Sequence, residues 1–493
     1  MIAKGLFLVC LLLTAAFPVS GPQVEISSHA TFSPAEDATL LRSVPYVWQE
    51  MNGFCNWAAT TIAMRYAGAD INMHDLFALS GIGFSFAYVK YNDTMLMFPG
   101  AIYQQIDPVV FACRLYGLNY SIYFGSDIEG VDYQVQYLEQ RGINVGLIDS
   151  QDEAFDLMRE SIDGGYPLLI SVDPVWLPAS DYDVLRDQGA TGAGHAVVVV
   201  GYNDTAGVAW IMDPGVGSFG NNFGFPTDGR GNYTQISYTN LNLAWSNRYY
   251  ISIRIEPGLE PVQDISSQLG PYLRDRLLGV GESYAPGSAS AYMWQFGEKA
   301  FRGMSVDLTA DGLETYLSVF DGMKNEVQFK SAVLLFIGLG LEAQTTLQYL
   351  SYRCALDSVP KFMADTDLSN FLAAAQRALP HSQALADNAT LLNPGNVTAS
   401  SGLAPTTFRA IAEEFNSTGD LHTALINHNE NLSEISAHLL AIAESWKEAG
   451  DALAEIWPES PLVLYGPLIV VVIGLGVSVA LAAIYVTKRT PSQ

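Results

Sequence analysis

Gln49, Cys55, His195 and Asp213 are the residues whose types and order could carry covalent chemistry together. A thiol attacks a carbonyl carbon well only once it has ionised. The positive end of a helix favours the thiolate. An imidazole nearby can take the proton and hold it as an ion pair. The imidazole in turn needs a carboxylate or an amide to orient it. The oxyanion that forms on the attacked carbonyl needs hydrogen-bond donors. The chain offers one residue for each role. Cys55 stands at the mouth of an expected helix, 56–66, in "NGFCNWAATTIAMRY". His195 begins "GHAVVVVGYN", behind the small residues Ala193 and Gly194, which leave room for a substrate. Asp213 ends "VAWIMD". Gln49 precedes the cysteine by six residues, and its side-chain N–H is expected to join the backbone N–H of Cys55 as an oxyanion donor.

Each of these residues also has a plainer reading. Cys55 could be a buried structural thiol, and His195 a satisfied core histidine. Asp213, before Pro214 and Gly215, could be a turn former. Gln49 could bond only to backbone. His74 is expected to cap a helix, and Gly81 and Gly83 to allow tight packing beside the cleft. His29, His381, His422, His428 and His438 lie in polar or helical surroundings and are assigned no role.

The elements that must bring these residues together are legible from periodicity. Residues 151–162 are expected to form a helix, closed by Gly164 and Gly165. "YPLLISVD" (166–173) is an apolar run bounded by turn residues and is expected to be a buried strand. "GHAVVVVGYN" (194–203) and "VAWIMD" (208–213) are expected to form a hairpin around the turn at 203–207. That hairpin would carry His195 and Asp213 to one end of a sheet. "RYYISIRIE" (248–256) is expected to close the sheet. Helices first and an antiparallel sheet later give an α+β catalytic unit over 42–257. Beyond Pro257 helical spacing dominates, and a second, all-helical unit is expected over 262–460. Within it "SAVLLFIGLGLEA" (331–343) is expected to be a buried core helix, 433–457 a long amphipathic helix, and 388–405 a loop.

The chain has 493 residues, 49% hydrophobic and 15% charged, which suits a large core and excludes global disorder. Acidic residues outnumber basic ones by 51 to 24, a net charge of -27. That balance argues against nucleic acid and against docking on anionic lipid as functions. The N-terminus, "MIAKGLFLVCLLLTAAFPVSG", has the layout of a secretory signal over 1–20, cleaved between Ala16 and Gly21, or else of an uncleaved anchor. Residues 462–486 are free of charge and long enough for a bilayer core that needs about 20 residues. Lys488 and Arg489 follow, so 487–493 is expected to remain in the cytoplasm. The body is thus expected to be exported and held by a C-terminal transmembrane helix. Glycosylation sequons at Asn92, Asn119, Asn203, Asn232, Asn388, Asn396, Asn416 and Asn431 suit that placement. If Cys10 leaves with the signal, Cys55, Cys113 and Cys354 remain. Either Cys113 pairs with Cys354 or all three are free thiols. No motif for a metal, phosphate or cofactor occurs, so no cofactor is expected.

The order Gln49, Cys55, His195, Asp213 resembles that of papain-like cysteine peptidases and acyltransferases. "GHAVVVVGY" followed by an Asp-Pro pair is similar to bacteriocin-processing cysteine peptidases. "DLFALSGIGFSFAYV" (75–89) and "ISVDPVWLP" (170–178), placed between the cysteine helix and the histidine, resemble the N-terminal domain of the butirosin biosynthesis protein H family. More faintly, the helical region resembles the helical domain that often follows in that family. The resemblance implies a papain-like fold with Cys55 as nucleophile, His195 as base, Asp213 as orienting group and Gln49 as oxyanion donor. It implies a peptide or acyl/amide substrate and an acyl-enzyme at Cys55. Export points away from a carrier-bound acyl donor, so thiol-dependent cleavage of a peptide or amide is the expected activity. Acyl transfer by the same intermediate, and an inactive module that binds peptides or surface partners, are the alternatives.

Overall fold

The computed structural model describes residues 38–458, apart from 92–93, 100–106, 129, 140–141, 188, 219–223, 281–292 and 387–401. The expected signal segment, the expected span 462–486 and the tail after it lie outside those residues.

The first half of the chain is built on an eight-stranded sheet. The strands are β1 (Thr39–Leu40), β4 (Leu118–Gly125), β5 (Asn144–Ile148), β6 (Leu168–Val172), β7 (His195–Asn203), β8 (Val208–Met212), β9 (Thr234–Ser237) and β10 (Ser252–Pro257). Between the first two of these in the chain come β2 (Phe86–Tyr91) and β3 (Thr94–Pro99), which belong elsewhere. The lateral order is β5-β4-β10-β6-β7-β8-β9, with β1 pairing β7. All neighbours are antiparallel except β4 and β5, which are parallel. That one pair departs from the expected all-antiparallel sheet, because a helix intervenes between its strands and returns the chain in the same direction. The expected hairpin is present, with Val198 opposite Met212 and Asn203 opposite Val208. The closing strand begins at Ser252 rather than Arg248, since Tyr249 and Tyr250 take left-handed backbone angles that a strand does not permit.

Helix α1 (Cys55–Tyr66) lies against β7, with Ala58, Ala59, Ile62 and Ala63 fully buried. Helix α2 (Met73–Leu79) opens with a capping box between Asn72 and Asp75. Asn72, not His74, is therefore the cap; His74 instead bonds Glu50 across 3.1 Å. Helix α3 (Gln151–Asp163) starts at Ser150, whose hydroxyl accepts from the N–H of Glu153, and stops at Gly164.

Beyond Pro257 the chain is mostly helical, as its periodicity indicates, but it is not all helix. Strand β11 (Met293–Phe296) pairs with β2, and β2 with β3, as a second, three-stranded sheet. Four residues are too few for an alternating pattern to register, so the strand is invisible as periodicity. Helices α4 (Gly297–Asp307), α5 (Glu326–Phe362), α6 (Leu403–Thr418) and α7 (Asn429–Ile456) form the bulk of this region, α5 packing on α6 and α4 on α7. The end of the expected 388–405 loop is helical, because Pro405 falls in the first turn of α6, where its missing N–H costs nothing.

One apolar core runs through both regions. Phe86 of β2 packs on Phe301 of α4 at 4.6 Å, and Trp446 of α7 meets Phe301 at 5.0 Å and Tyr352 of α5 at 5.4 Å. Helix α5 holds the expected core segment; it is, among the described residues, the one helix long and apolar enough to cross a membrane, and 67% of its most apolar window is buried inside the protein. The close approach expected at the "GIGF" glycines is present. A Cβ on Gly83 would stand 2.5 Å from the Cβ of Ala355 and 2.8 Å from the carbonyl oxygen of Ser351, both on α5. Gly83→Ala is therefore expected to destabilise the protein by about 1–3 kcal/mol, read as a lower urea midpoint at unchanged slope.

The three described cysteines, Cys55, Cys113 and Cys354, are all free thiols, so Cys113 and Cys354 do not pair. Of the expected glycosylation sites, Asn203 is 1% exposed and its Oδ1 accepts from the N–H of Ala206 at 2.8 Å, which leaves no path for a glycan. Asn232 and Asn416 are exposed, Asn119 and Asn431 half-buried. Asn92, Asn388 and Asn396 lie outside the described residues.

Candidate active site

Cys55 is the first residue of α1, so its backbone N–H is one of the donors that a helix cannot satisfy internally. No side chain caps this end. The partial positive charge of the helix terminus is therefore left to the thiol beside it. Gly53 (φ +101°) supplies the left-handed bend that turns the chain from Gln49 into the helix.

His195 opens β7 opposite Val172 of β6. Asp213 follows the last residue of β8 directly. The hairpin thus carries both to one end of the sheet, and they meet there. His195 Nε2 lies 2.8 Å from Asp213 Oδ1, with both side chains almost wholly buried. With Nε2 committed to the carboxylate, Nδ1 is the nitrogen left for sulfur. The imidazole hydrogen-bonds the Cys55 thiol. Three of the four residues expected from the sequence are therefore joined in one chain of contacts.

Their electrostatics follow from that geometry. Burial pushes the Cys55 thiol up. The hydrogen bond and charge of His195, with the N–H groups of Ala196 and Asn56, outweigh it and leave the thiol below its ordinary range. Burial disfavours the His195 cation, but the charge and hydrogen bond of Asp213, and then Cys55, raise it to about 10. A thiolate facing an imidazolium is the state that these shifts favour.

Gln49 is 0% exposed, and among the described residues neither its Nε2 nor its Oε1 has a protein partner. A buried amide left unpaired costs free energy unless something else bonds to it. Its backbone is fixed: Gln49 N–H donates to the carbonyl of Pro214 at 3.0 Å, so the loop before Cys55 is tied to the turn after Asp213. The residue is thus held by its main chain, while its buried side-chain amide has no partner among the described residues.

Two further groups at this site have no local signal in the sequence. Tyr182, fully buried, donates its hydroxyl to Asp213 at 3.0 Å and lies 3.1 Å from His195 Nε2. It comes from a single-turn 3₁₀ helix in an irregular stretch, where no periodicity marks it. Gly215 donates its N–H to Asp213 Oδ1 at 2.9 Å. A Cβ there would stand 2.5 Å from the Tyr182 hydroxyl and 2.6 Å from His195 Cε1. Gly215→Ala must therefore displace the imidazole or the tyrosine. A shift of about 1 Å in such a site can cost about 100-fold. The variant is expected to lower kcat/KM for a cleaved peptide by roughly that factor while its thermal unfolding stays cooperative.

The segment before His195 is clamped as well. The buried Asp173 carboxylate accepts from Gly192 N–H at 2.8 Å and from Asn247 Nδ2 at 3.2 Å. Arg248 Nη1 donates to the Gly192 carbonyl at 3.2 Å. These bonds fix the approach of the chain to the imidazole. His74, the other histidine of this half that the sequence singled out, faces Glu50 and Cys354 and takes no part in the cluster. Among the described residues no group of His, Cys, Asp and Glu side chains is arranged to hold a metal ion.

No curated protein matches the chain. Residues 41–240 match the family model described as "Peptidase_C39 like family", a segment that spans β7, β8 and all of the residues joined above and leaves the later helices outside it. This segment is a C39-like domain of the papain-like cysteine peptidase superfamily.

Proposed function

We propose that this protein is a thiol-dependent hydrolase that cuts a peptide or amide bond through an acyl-enzyme at Cys55. The observation that carries the reading is the contact chain from the thiol through His195 to Asp213, set beside the unpaired amide of Gln49. The Cys55 thiolate attacks the scissile carbonyl carbon. Gln49 Nε2 and the Cys55 N–H hold the oxyanion. His195 gives its proton to the departing nitrogen, and the amine leaves. Water, losing a proton to His195, then attacks the thioester, and the acid and the thiolate are released. Asp213 keeps the imidazole in the tautomer and orientation that both steps need.

The same reading places the catalytic body outside the cell, held by residues 462–486. Protease treatment of intact cells should then release or degrade the region that contains Cys55 and spare the last residues.

The hydrolase reading is tested by incubating the full chain with an equimolar library of synthetic peptides and sequencing the products by mass spectrometry. Cleavage by the wild type and none by Cys55→Ala is the expected result. Addition of an amine separates the two fates of the acyl-enzyme. Products capped by the amine with no free acid would place acyl transfer above hydrolysis.

A further inference from the structure

The rim beside the catalytic cluster carries three aromatic rings that the chemistry above does not use. Phe225 is 56% exposed, the most exposed aromatic side chain among the described buried and exposed hydrophobics. Single exposed apolar residues are ordinary on protein surfaces. This one is not isolated. Its ring stands edge-on to Tyr46 and to Trp48, each at 6.1 Å between centroids, with interplanar angles of 62° and 86°.

Both partners are fastened to the backbone of the catalytic cluster. Tyr46 donates its hydroxyl to the carbonyl of Asp213 at 2.9 Å. Trp48 donates its indole N–H to the carbonyl of Val216 at 3.0 Å and is the residue directly before Gln49. The trio is thus hung between the loop that carries the oxyanion donor and the turn, 213–216, that carries the orienting carboxylate. Its position relative to the cluster is set by these bonds rather than by loose packing.

The chemistry says what passes over that rim. His195 must face the departing nitrogen to protonate it. The chain beyond that nitrogen therefore leaves on the imidazole's side of the cleft, where the 213–216 turn sets Asp213 and Gly215 against His195. Arg230, whose charge acts on Tyr46, is already engaged by Asp181 at 2.7 Å and by Asp228, so among the described residues this cation is not left free to select an acidic side chain. An exposed phenyl edge flanked by two fixed rings favours another aromatic or a large aliphatic group.

We propose that Phe225, with Tyr46 and Trp48, is a specificity site for an aromatic or large apolar side chain on the leaving-group side of the scissile bond. The inference rests on the hydrolase reading and adds the class of substrate to it.

The peptide library separates the two. In the wild type the first residue of the leaving fragment should be enriched in Phe, Tyr, Trp and Leu. Phe225→Ala should lower kcat/KM for such peptides by about tenfold or more relative to peptides with Ser or Gly there. Phe225→Tyr, which keeps the ring, should restore the preference. Iodoacetamide labelling of Cys55 reports in each protein whether the catalytic cluster is intact. Cleavage with no apolar preference, or with the same preference in Phe225→Ala, overturns the specificity site and leaves the hydrolase reading standing. A labelled Cys55 with no peptide cut overturns the hydrolase reading, and the specificity site with it.

Discussion

His195→Ala is expected to lower kcat/KM for any cleaved peptide by about 100- to 10,000-fold, the range that a positioned general acid–base contributes. The loss has two parts. The imidazolium that lowers the Cys55 thiol is gone, and burial, which pushes the thiol up, is opposed only by the N–H groups of Ala196 and Asn56. The acid that protonates the departing nitrogen is gone as well. The pH profile separates these parts. In the wild type, activity rises as pH passes the lowered thiol range, because the thiolate forms there. It falls as pH passes through about 10, because the raised imidazolium then loses its proton. The profile is a bell whose alkaline limb belongs to the Cys55–His195 pair as a whole. His195→Ala should lose that limb and keep one ascending limb, moved to or above the ordinary thiol range.

Gln49→Ala is expected to lower kcat by about 100- to 1,000-fold, or about 2.7–4 kcal/mol of transition-state stabilisation, as removal of one oxyanion donor does elsewhere. Its diagnostic value lies in what it spares. Iodoacetamide alkylates sulfur by displacement at a saturated carbon and generates no oxyanion. The rate at which it labels Cys55 should stay within about twofold of wild type in Gln49→Ala, whereas His195→Ala slows both reactions. A Gln49 variant that slowed alkylation as much as turnover would assign the amide to thiol activation or to folding. Folding is a weak explanation in advance, because among the described residues the side chain bonds no protein group that its removal could strand.

Cys55, His195 and Asp213 were legible because each sits at the end of a strongly patterned element, whereas Gln49 lies in an irregular stretch and was picked by its distance from the cysteine. Cys55 precedes a run of small apolar residues with helical spacing, and Ser150, Gly164 and the apolar run at 168–172 punctuate the chain that leads to His195. The β7–β8 hairpin follows from two apolar runs and a short turn, and that hairpin alone accounts for the meeting of His195 with Asp213. What escaped was whatever depends on distant contacts. Tyr182 lies in an irregular stretch and earns its place only by what it touches. Gly215 looks like an ordinary turn glycine until the imidazole is built beside it. Strand β11 exists because β2 offers it an edge more than two hundred residues earlier in the chain. The packing of the three-stranded sheet on the later helices is likewise a property of Phe86, Phe301, Tyr352 and Trp446 together and of none alone.

The helical region is thereby more than an appendage. Helix α5 backs the 82–84 turn through Gly83 and reaches the loop after Gln49 through Leu347, which a Cβ on Gly53 would approach to 2.9 Å. The bend that aims Cys55 is packed against a helix from beyond the family-matched segment.

The most direct measurement is the rate of Cys55 alkylation by iodoacetamide at pH 7, followed by peptide mapping in wild type and His195→Ala, with buried Cys113 as the internal control. An ordinary thiol near pKa 8.5 is only about 3% thiolate at pH 7, so loss of the ion pair should slow Cys55 by about 30-fold or more. In the wild type Cys55 should outpace Cys113, whose thiol burial pushes up. Equal Cys55 rates in the two proteins would contradict the account, since the imidazole would then have no hold on the sulfur.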